Sequence, residues 1–225
     1  MMKLQSLVLA AATALTMTSA FAVPAGAWTV GAGAHYVDPK SDNGTLGDDD
    51  VVSFDVDVDG DVRPTLTGEY FIANNVGIEL LASLPFHHDF DLNAADGTTA
   101  LTGKIQHLPA TLSLQYHFDD YNMPMNIKPF IGVGVNYTTF FKEKLNTPAG
   151  APSDSAADLK FDDSVGVAGH IGLDIPFAPT EYFRIDARYM DIKTDASIND
   201  EGNTLELGEV DISPWVYGVA FVKQF

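Results

Sequence analysis

Few residues in this chain have the types and spacing that chemistry requires. Ser113, His117 and Glu79 offer a hydroxyl, a base and an acid, the components of an activated nucleophile. No Gly-x-Ser-x-Gly or comparable nucleophile motif surrounds them. Asp55, Asp57, Asp59 and Gly60 imitate the opening of a calcium loop, but its twelfth position is Leu66, where a bidentate Glu is needed. His87 and His88 point to opposite faces of an extended chain, which makes a poor metal pair. Gly132-Val133-Gly134 lacks the third glycine and the following helix of a dinucleotide site. The chain has no cysteine, so thiolate catalysis, zinc–thiolate sites and disulfides are excluded. The expectation is therefore no enzyme, no catalytic residue, no cofactor and no specific metal site. Diffuse association of divalent cations with acidic loops is the stronger reading of the Asp-rich segment.

Composition narrows the class. The chain has 225 residues, 31 acidic against 12 basic, and a net charge of -19. Charged residues are only 19% of it, with a mean hydropathy of +0.04, too apolar for an acidic disordered tail. The acidic balance argues against a nucleic-acid partner, because phosphate contacts need clustered Lys and Arg. No apolar run reaches the roughly 18 residues of a transmembrane helix. Met1 to Ala22 reads as a secretory signal: Lys3, then mostly apolar Leu4 to Met17, then the cleavage pattern Ala20-Phe21-Ala22. Residues 23–225 are expected to form one domain.

The elements that must position any function repeat with period two. Leu108, Ala110, Leu112, Leu114, Tyr116 and Phe118 share one face, the pattern of a strand with one apolar side. Trp28 to Tyr36, Leu66 to Ile72, Val76 to Leu84, Ile131 to Tyr137, Val165 to Ile175, Phe183 to Tyr189 and Trp215 to Phe225 repeat the alternation. Short turns at 73–75, 119–126 and 176–180 alternate with long connections at 38–64, 87–104, 142–163 and 193–210. The long connections hold 22 of the 31 acidic residues. An even strand number with short and long connections in alternation predicts an all-β fold: a closed, eight-stranded antiparallel transmembrane β-barrel of outer-membrane type, with long external loops. Closure follows because an open edge in lipid leaves backbone N–H and C=O groups unpaired. Trp28, Tyr36, Phe118, Tyr137, Phe141, Tyr182, Tyr189 and Trp215 are expected to form the interfacial girdle. Lys223 falls on the lipid face near the periplasmic end. The reading places the protein in the bacterial outer membrane, in contact with outer-membrane lipid and lipopolysaccharide. A soluble barrel would show the opposite alternation, with its polar residues outside.

Side-chain parity then describes the lumen. Near the short turns the inward set holds Glu69, Glu79, Gln115, His117, Lys128, His170, Asp174, Arg184, Asp186 and Arg188. The interior of an eight-stranded barrel is only wide enough for side chains, so these residues form a paired polar floor. Near the long loops the inward set is Leu81, Pro85, Pro109, Phe140, Met190, Ile192, Ile212, Pro214 and Val216. That set suits an apolar well, open to the outside, for a small hydrophobic solute. Gly31, Gly33, Gly132, Gly134 and Gly166, on the inward parity, would leave room inside. Pro85 and Pro109 flank one external loop on adjacent strands, and each removes a ladder donor. A lateral opening of the wall there is a further expectation, beside the plainer reading that both prolines end strands.

Longer stretches carry a family resemblance. Asn75-Val76-Gly77-Ile78-Glu79-Leu80-Leu81-Ala82, His107-Leu108-Pro109-Ala110-Thr111-Leu112, Lys128 through Phe141, Tyr189-Met190-Asp191-Ile192 and Pro214-Trp215-Val216 resemble the OmpW family of outer-membrane proteins, over essentially the whole chain. The resemblance implies an eight-stranded barrel with a narrow apolar channel for passive uptake of small hydrophobic molecules and release into the membrane. One departure is Val165 after Asp163-Ser164, where the family pattern often has an aromatic. The alternative reading is a structural or surface-interaction barrel with acidic external loops and a sealed lumen.

Overall fold

A computed structural model describes residues 23–48, 52–94, 97–121, 123–146, 158–200 and 203–225. Residues 1–22, read above as the signal, lie outside that set, as do Asp49 and Asp50. The strands are β1 (Trp28–Asp38), β2 (Thr45–Asp48), β3 (Val52–Val58), β4 (Asp61–Ala73), β5 (Val76–Ser83), β6 (Phe86–Asn93), β7 (Thr99–His117), β8 (Lys128–Asn146), β9 (Asp158–Phe161), β10 (Ser164–Ala178), β11 (Glu181–Met190), β12 (Lys193–Asp200), β13 (Asn203–Asp211) and β14 (Trp215–Gln224).

Eight of them close a barrel in the order β1-β4-β5-β7-β8-β10-β11-β14, with β14 returning to β1. Every neighbouring pair is antiparallel. The alternation in sequence becomes an alternation in exposure: Val133 is 64% exposed, while Ser113 and Gln115 are buried. An apolar outer face and a polar buried face invert the pattern of a soluble sheet. Apart from a short break on one side of β7, the wall's strands pair around the whole barrel, as hydrocarbon demands. The tight turn between β4 and β5 has Asn75 at φ 64, a left-handed conformation that Asn tolerates. Inside, Gly132 and Gly218 are pressed by the rings of His170 and His35. The inward glycines therefore make room for neighbouring groups, rather than for open space.

Among the described residues, the four long connections are largely strands. Beyond Pro85, β6 replaces β5 as the partner of β7, β3 pairs with β6, and β2 pairs with β3. β9, β12 and β13 form a second sheet. The N–H of Asp211 donates to the carbonyl of Asn43 (3.0 Å), which ties the two sheets together. The result is a strand-built external collar. Its inner faces carry Val56, Val58, Phe90, Leu92 and Ala196, all buried and continuous with the apolar upper lumen. The same alternation sets these strands, but their outer faces carry acids such as Asp55, Asp57, Asp89 and Asp91. Water, not lipid, surrounds them.

One placement corrects the sequence expectations. Tyr182, expected in the girdle, is buried inside the barrel and donates its hydroxyl to Gln224 (2.8 Å). Its neighbour Phe183 takes the outward position. Lys223 keeps its position near the end of β14 and pairs there with Glu181 at 2.8 Å.

Candidate functional site: a lumen in two halves

The floor is built from inward positions on β4, β5, β10 and β11. Arg184 donates twice to Asp174, from Nε (2.7 Å) and Nη2 (2.8 Å), and from Nη1 to Glu79 (2.7 Å). Arg188 reaches Asp186 (2.6 Å) and the other oxygen of Glu79 (2.8 Å). Glu69 lies 3.7 Å from Arg184 and 2.8 Å from His117. The Arg184 guanidinium also rests over the ring of Phe130, 4.4 Å from its centre. All of these residues are buried. Buried ions persist only when paired and hydrogen-bonded, and opposed charges on facing strands meet that condition. His170 is buried in the same layer, with neither ring nitrogen hydrogen-bonded among the described residues. Lys128 departs from the expected floor. It sits lower, half-buried, paired with Asp119 (3.0 Å) and facing the Tyr182 ring.

His35 was missed in the floor set. It bridges Thr65 (2.7 Å) and Asp186 (3.3 Å). Its parity, between outward Ala34 and Tyr36, carried the signal. The Ser113, His117 and Glu79 combination is not assembled. Ser113 faces Glu79 across the β5–β7 ladder, but its Oγ has no hydrogen-bond partner among the described residues, and His117 turns to Glu69 instead.

A polar belt separates the halves. Asn136 donates to Thr111 (3.0 Å) and accepts from Thr138 (2.6 Å), and Thr111 faces the sulfur of Met190. Above it lies a narrow cavity of about 10 Å³, near the minimum that holds one water molecule. Leu81, Pro109, Met190, Ile192, Pro214 and Val216 line it, together with His35, Val37, Thr65, Ser83, Phe86 and His107. Phe140 and Ile212 are buried in the same apolar core but off the cavity wall, and Pro85 is half-buried and also off it. The expected open well is therefore nearly filled by its own side chains.

The wall beside this cavity is interrupted. β5–β7 pairing stops at Ala82 opposite Ala110, and β6–β7 pairing begins at Phe86 opposite His107. Ser83, Leu84 and Pro85 thus leave β7 without a register partner on this side at Leu108 and Pro109, which stay paired with Thr139 and Thr138 of β8 on the other. Leu84 N–H turns the other way, to the carbonyl of Pro64 on β4 (3.1 Å). Pro64 adds a third proline at this level, one that sequence reasoning assigned to a loop. Outside the barrel a groove of about 370 Å³ runs over Ala32, Gly33, Pro64, Thr65, Leu66, Ala82, Ser83 and Leu84. Thr65 and Ser83 border both the inner cavity and the outer groove.

The collar is acidic and locally tied. Burial alone would raise Asp61, but hydrogen bonds from the N–H groups of His87 and Val62, with Arg63 beside it, hold it below the usual carboxylate range. Among the described residues no three acidic or histidine side chains converge on a point that suits a metal ion. Val165 points outward and is exposed, so it takes no part in the lumen.

Comparison with known proteins agrees with this architecture. A sequence model of the OmpW family matches residues 24–225. Outer membrane protein W of Salmonella typhi is 36% identical over 208 residues, 92% of each chain. The crystal structure of the outer membrane protein OprG from Pseudomonas aeruginosa superposes with a TM-score of 0.75 at 32% identity, covering 91% of this chain and 98% of that one. A more distant relative, the dibenzothiophene metabolism operon protein PahQ of Pseudomonas aeruginosa, is 33% identical over 125 residues, 55% of this chain and 53% of its own. With its closed eight-stranded barrel and apolar girdled exterior, this chain belongs to the OmpW family of bacterial outer-membrane proteins.

Proposed function

We propose that the barrel admits small hydrophobic molecules passively and releases them sideways into the bilayer. The observation that carries this reading is the shared border. Thr65 and Ser83, register partners in the β4–β5 ladder, stand between an apolar cavity inside and a groove outside, and Ser83 is also the residue at which β5 parts from β7. Straight passage is disfavoured by the floor, where a moving solute would have to separate buried ion pairs. The upper half asks less: rotation of Met190 or Val216 side chains opens space without separating charge. The relative PahQ belongs by name to an operon of dibenzothiophene metabolism, and dibenzothiophene is an apolar compound, which supports an apolar solute class. Pro85 and Pro109 bound the exit, and Leu81, Phe140, Ile192, Ile212 and Pro214 complete the apolar surroundings. At the surface, the acidic collar would meet lipopolysaccharide through diffusely held divalent cations.

The chain's lack of cysteine makes a direct test simple. Ser83→Cys with Pro109→Cys places one thiol on each side of the broken ladder, one step beyond Ala82 opposite Ala110. Cells carrying this variant, oxidised to a disulfide, should take up a radiolabelled apolar solute several-fold more slowly, and reductant should restore uptake. Uptake unaffected by the staple would remove the lateral route. Equal uptake by cells with and without the unmodified barrel would remove transport altogether, leaving the surface-interaction reading.

A further inference from the structure

Two buried imidazoles at the cavity sharpen the solute class. His88 on β6 and His107 on β7 place their Nε2 atoms 2.7 Å apart, and each is about 1% exposed. Phe86 and Phe140 pack against the His107 ring, with centroids at 5.4 and 5.8 Å, which fixes its plane. A nitrogen–nitrogen contact this short is a hydrogen bond, so one nitrogen carries a proton and the other a lone pair.

The direction is decided one residue away. His88 Nδ1 lies against the main-chain carbonyl of Asp59. A carbonyl only accepts, so His88 Nδ1 carries the proton. Burial pushes His88, which lies in the collar, below the ordinary imidazole range, and a neutral imidazole holds a single proton. His88 Nε2 is therefore the acceptor, and His107 Nε2 must donate to it. No carboxylate pairs with His107 among the described residues to stabilise a cation there, so His107 is neutral too. Its one proton is spent on His88, which leaves Nδ1 as a bare lone pair.

That nitrogen is buried and has no hydrogen-bond partner among the described residues, and His107 lines the cavity. Ser83, also on the cavity wall, has an Oγ in the same condition. A buried acceptor left without a donor is unfavourable, so an occupant that brings an O–H is preferred over one that does not. We propose that the cavity, once widened by rotation of the Met190 and Val216 side chains, selects small apolar molecules bearing one neutral hydrogen-bond donor, of the aliphatic alcohol or phenol class, with the donor's proton accepted by His107 Nδ1. This deepens the transport reading and rests on it.

The test compares 1-octanol, octane and heptyl methyl ether, an isomer of octanol that accepts but cannot donate. Each is radiolabelled and offered to cells with and without the barrel at matched surface expression. Barrel-dependent uptake of octanol should exceed that of the ether by about tenfold, the factor expected from one buried hydrogen bond. His107→Phe should bring the ratio near one. His88→Phe, which frees His107 to carry its proton on either nitrogen, should shrink it. Equal uptake of alcohol and ether by the unmodified barrel, or a ratio unchanged in His107→Phe, overturns the proposal. A second arm uses ¹⁵N-histidine NMR of the intact barrel in lipid nanodiscs. His107 Nδ1 should resonate as an unprotonated nitrogen and shift on addition of octanol but not octane; a protonated Nδ1 overturns the proposal. If none of the three compounds shows barrel-dependent uptake, the transport reading fails, and the NMR arm decides the His107 assignment alone.

Discussion

The two halves of the lumen are buried to the same degree by opposite means. In the floor, Glu79 divides its two oxygens between Arg184 and Arg188, and every further ion is held by another. In the upper half, Met190, Ile192 and Val216 fill space with almost no polar contact. Both halves are filled by buried side chains. They differ in how they can yield. Separating a buried ion pair strands a charge in a low-dielectric interior, whereas rotating an apolar side chain costs only contacts. The barrel is therefore rigid below and deformable above, and the broken ladder lies on the deformable side.

The sharpest way to break this contrast is at Glu79. Glu79→Gln removes the one acid shared by both arginines, and about 3–5 kcal/mol of stability should go with it. Urea unfolding of the barrel in lipid vesicles measures the loss, and a loss below about 1 kcal/mol would mean the floor is not the rigid half. Met190→Ala is the matched change above the belt. It should cost about 2–4 kcal/mol through lost contacts and a larger cavity. Because it opens the cavity, it should also raise apolar uptake, which Glu79→Gln should not. Val216→Asn keeps most of the volume but places an amide in the apolar wall. It should lower uptake with a stability cost of about 1–3 kcal/mol, since the amide is left without partners. Uptake equal to that of the unmodified barrel in Val216→Asn would place the solute path elsewhere.

The contrast was partly legible in the sequence. A strict period of two, with eight apolar faces, is a strong signal because lipid rewards every outward position alike. That same parity placed Arg184, Arg188 and Glu79 together without any motif. The collar was hidden by its acids. Asp55, Val56, Asp57 and Val58 alternate as a strand does, but an acidic outer face reads as a loop when lipid is the assumed solvent. Pro64 was lost with it, since a residue assigned to a loop is not weighed as a wall position. The His88–His107 hydrogen bond could not be read at all. It depends on β6 taking over from β5 beside β7, and that exchange of partners is a tertiary event that neither histidine's neighbours in sequence announce.

The smallest effect belongs to the collar, which tests whether the deformable half extends outward. Lys40 and Asp211 pair at 2.7 Å and join the segment after β1 to the end of β13. The hydrogen bond to Asp211 raises Lys40 above its ordinary value. Burial alone would raise Asp211, but hydrogen bonds from Lys40 and Ser213 outweigh it and hold Asp211 low. The signs are then fixed. A depressed carboxylate contributes stability above its unfolded value, near 3.9, and loses it as pH falls through the folded value. A raised lysine contributes below its unfolded value, near 10.4, and loses it as pH rises through the folded one. The pair is thus complete across neutral pH and fades at both extremes. Both side chains are partly exposed, so solvent screening keeps the contribution below about 1 kcal/mol. Lys40→Met should accordingly leave global unfolding almost unchanged at neutral pH, and should speed amide hydrogen exchange at Asp211 and Ile212. Exchange there that ignores the substitution would mean the apolar core beneath, rather than this ion pair, holds the two sheets of the collar together.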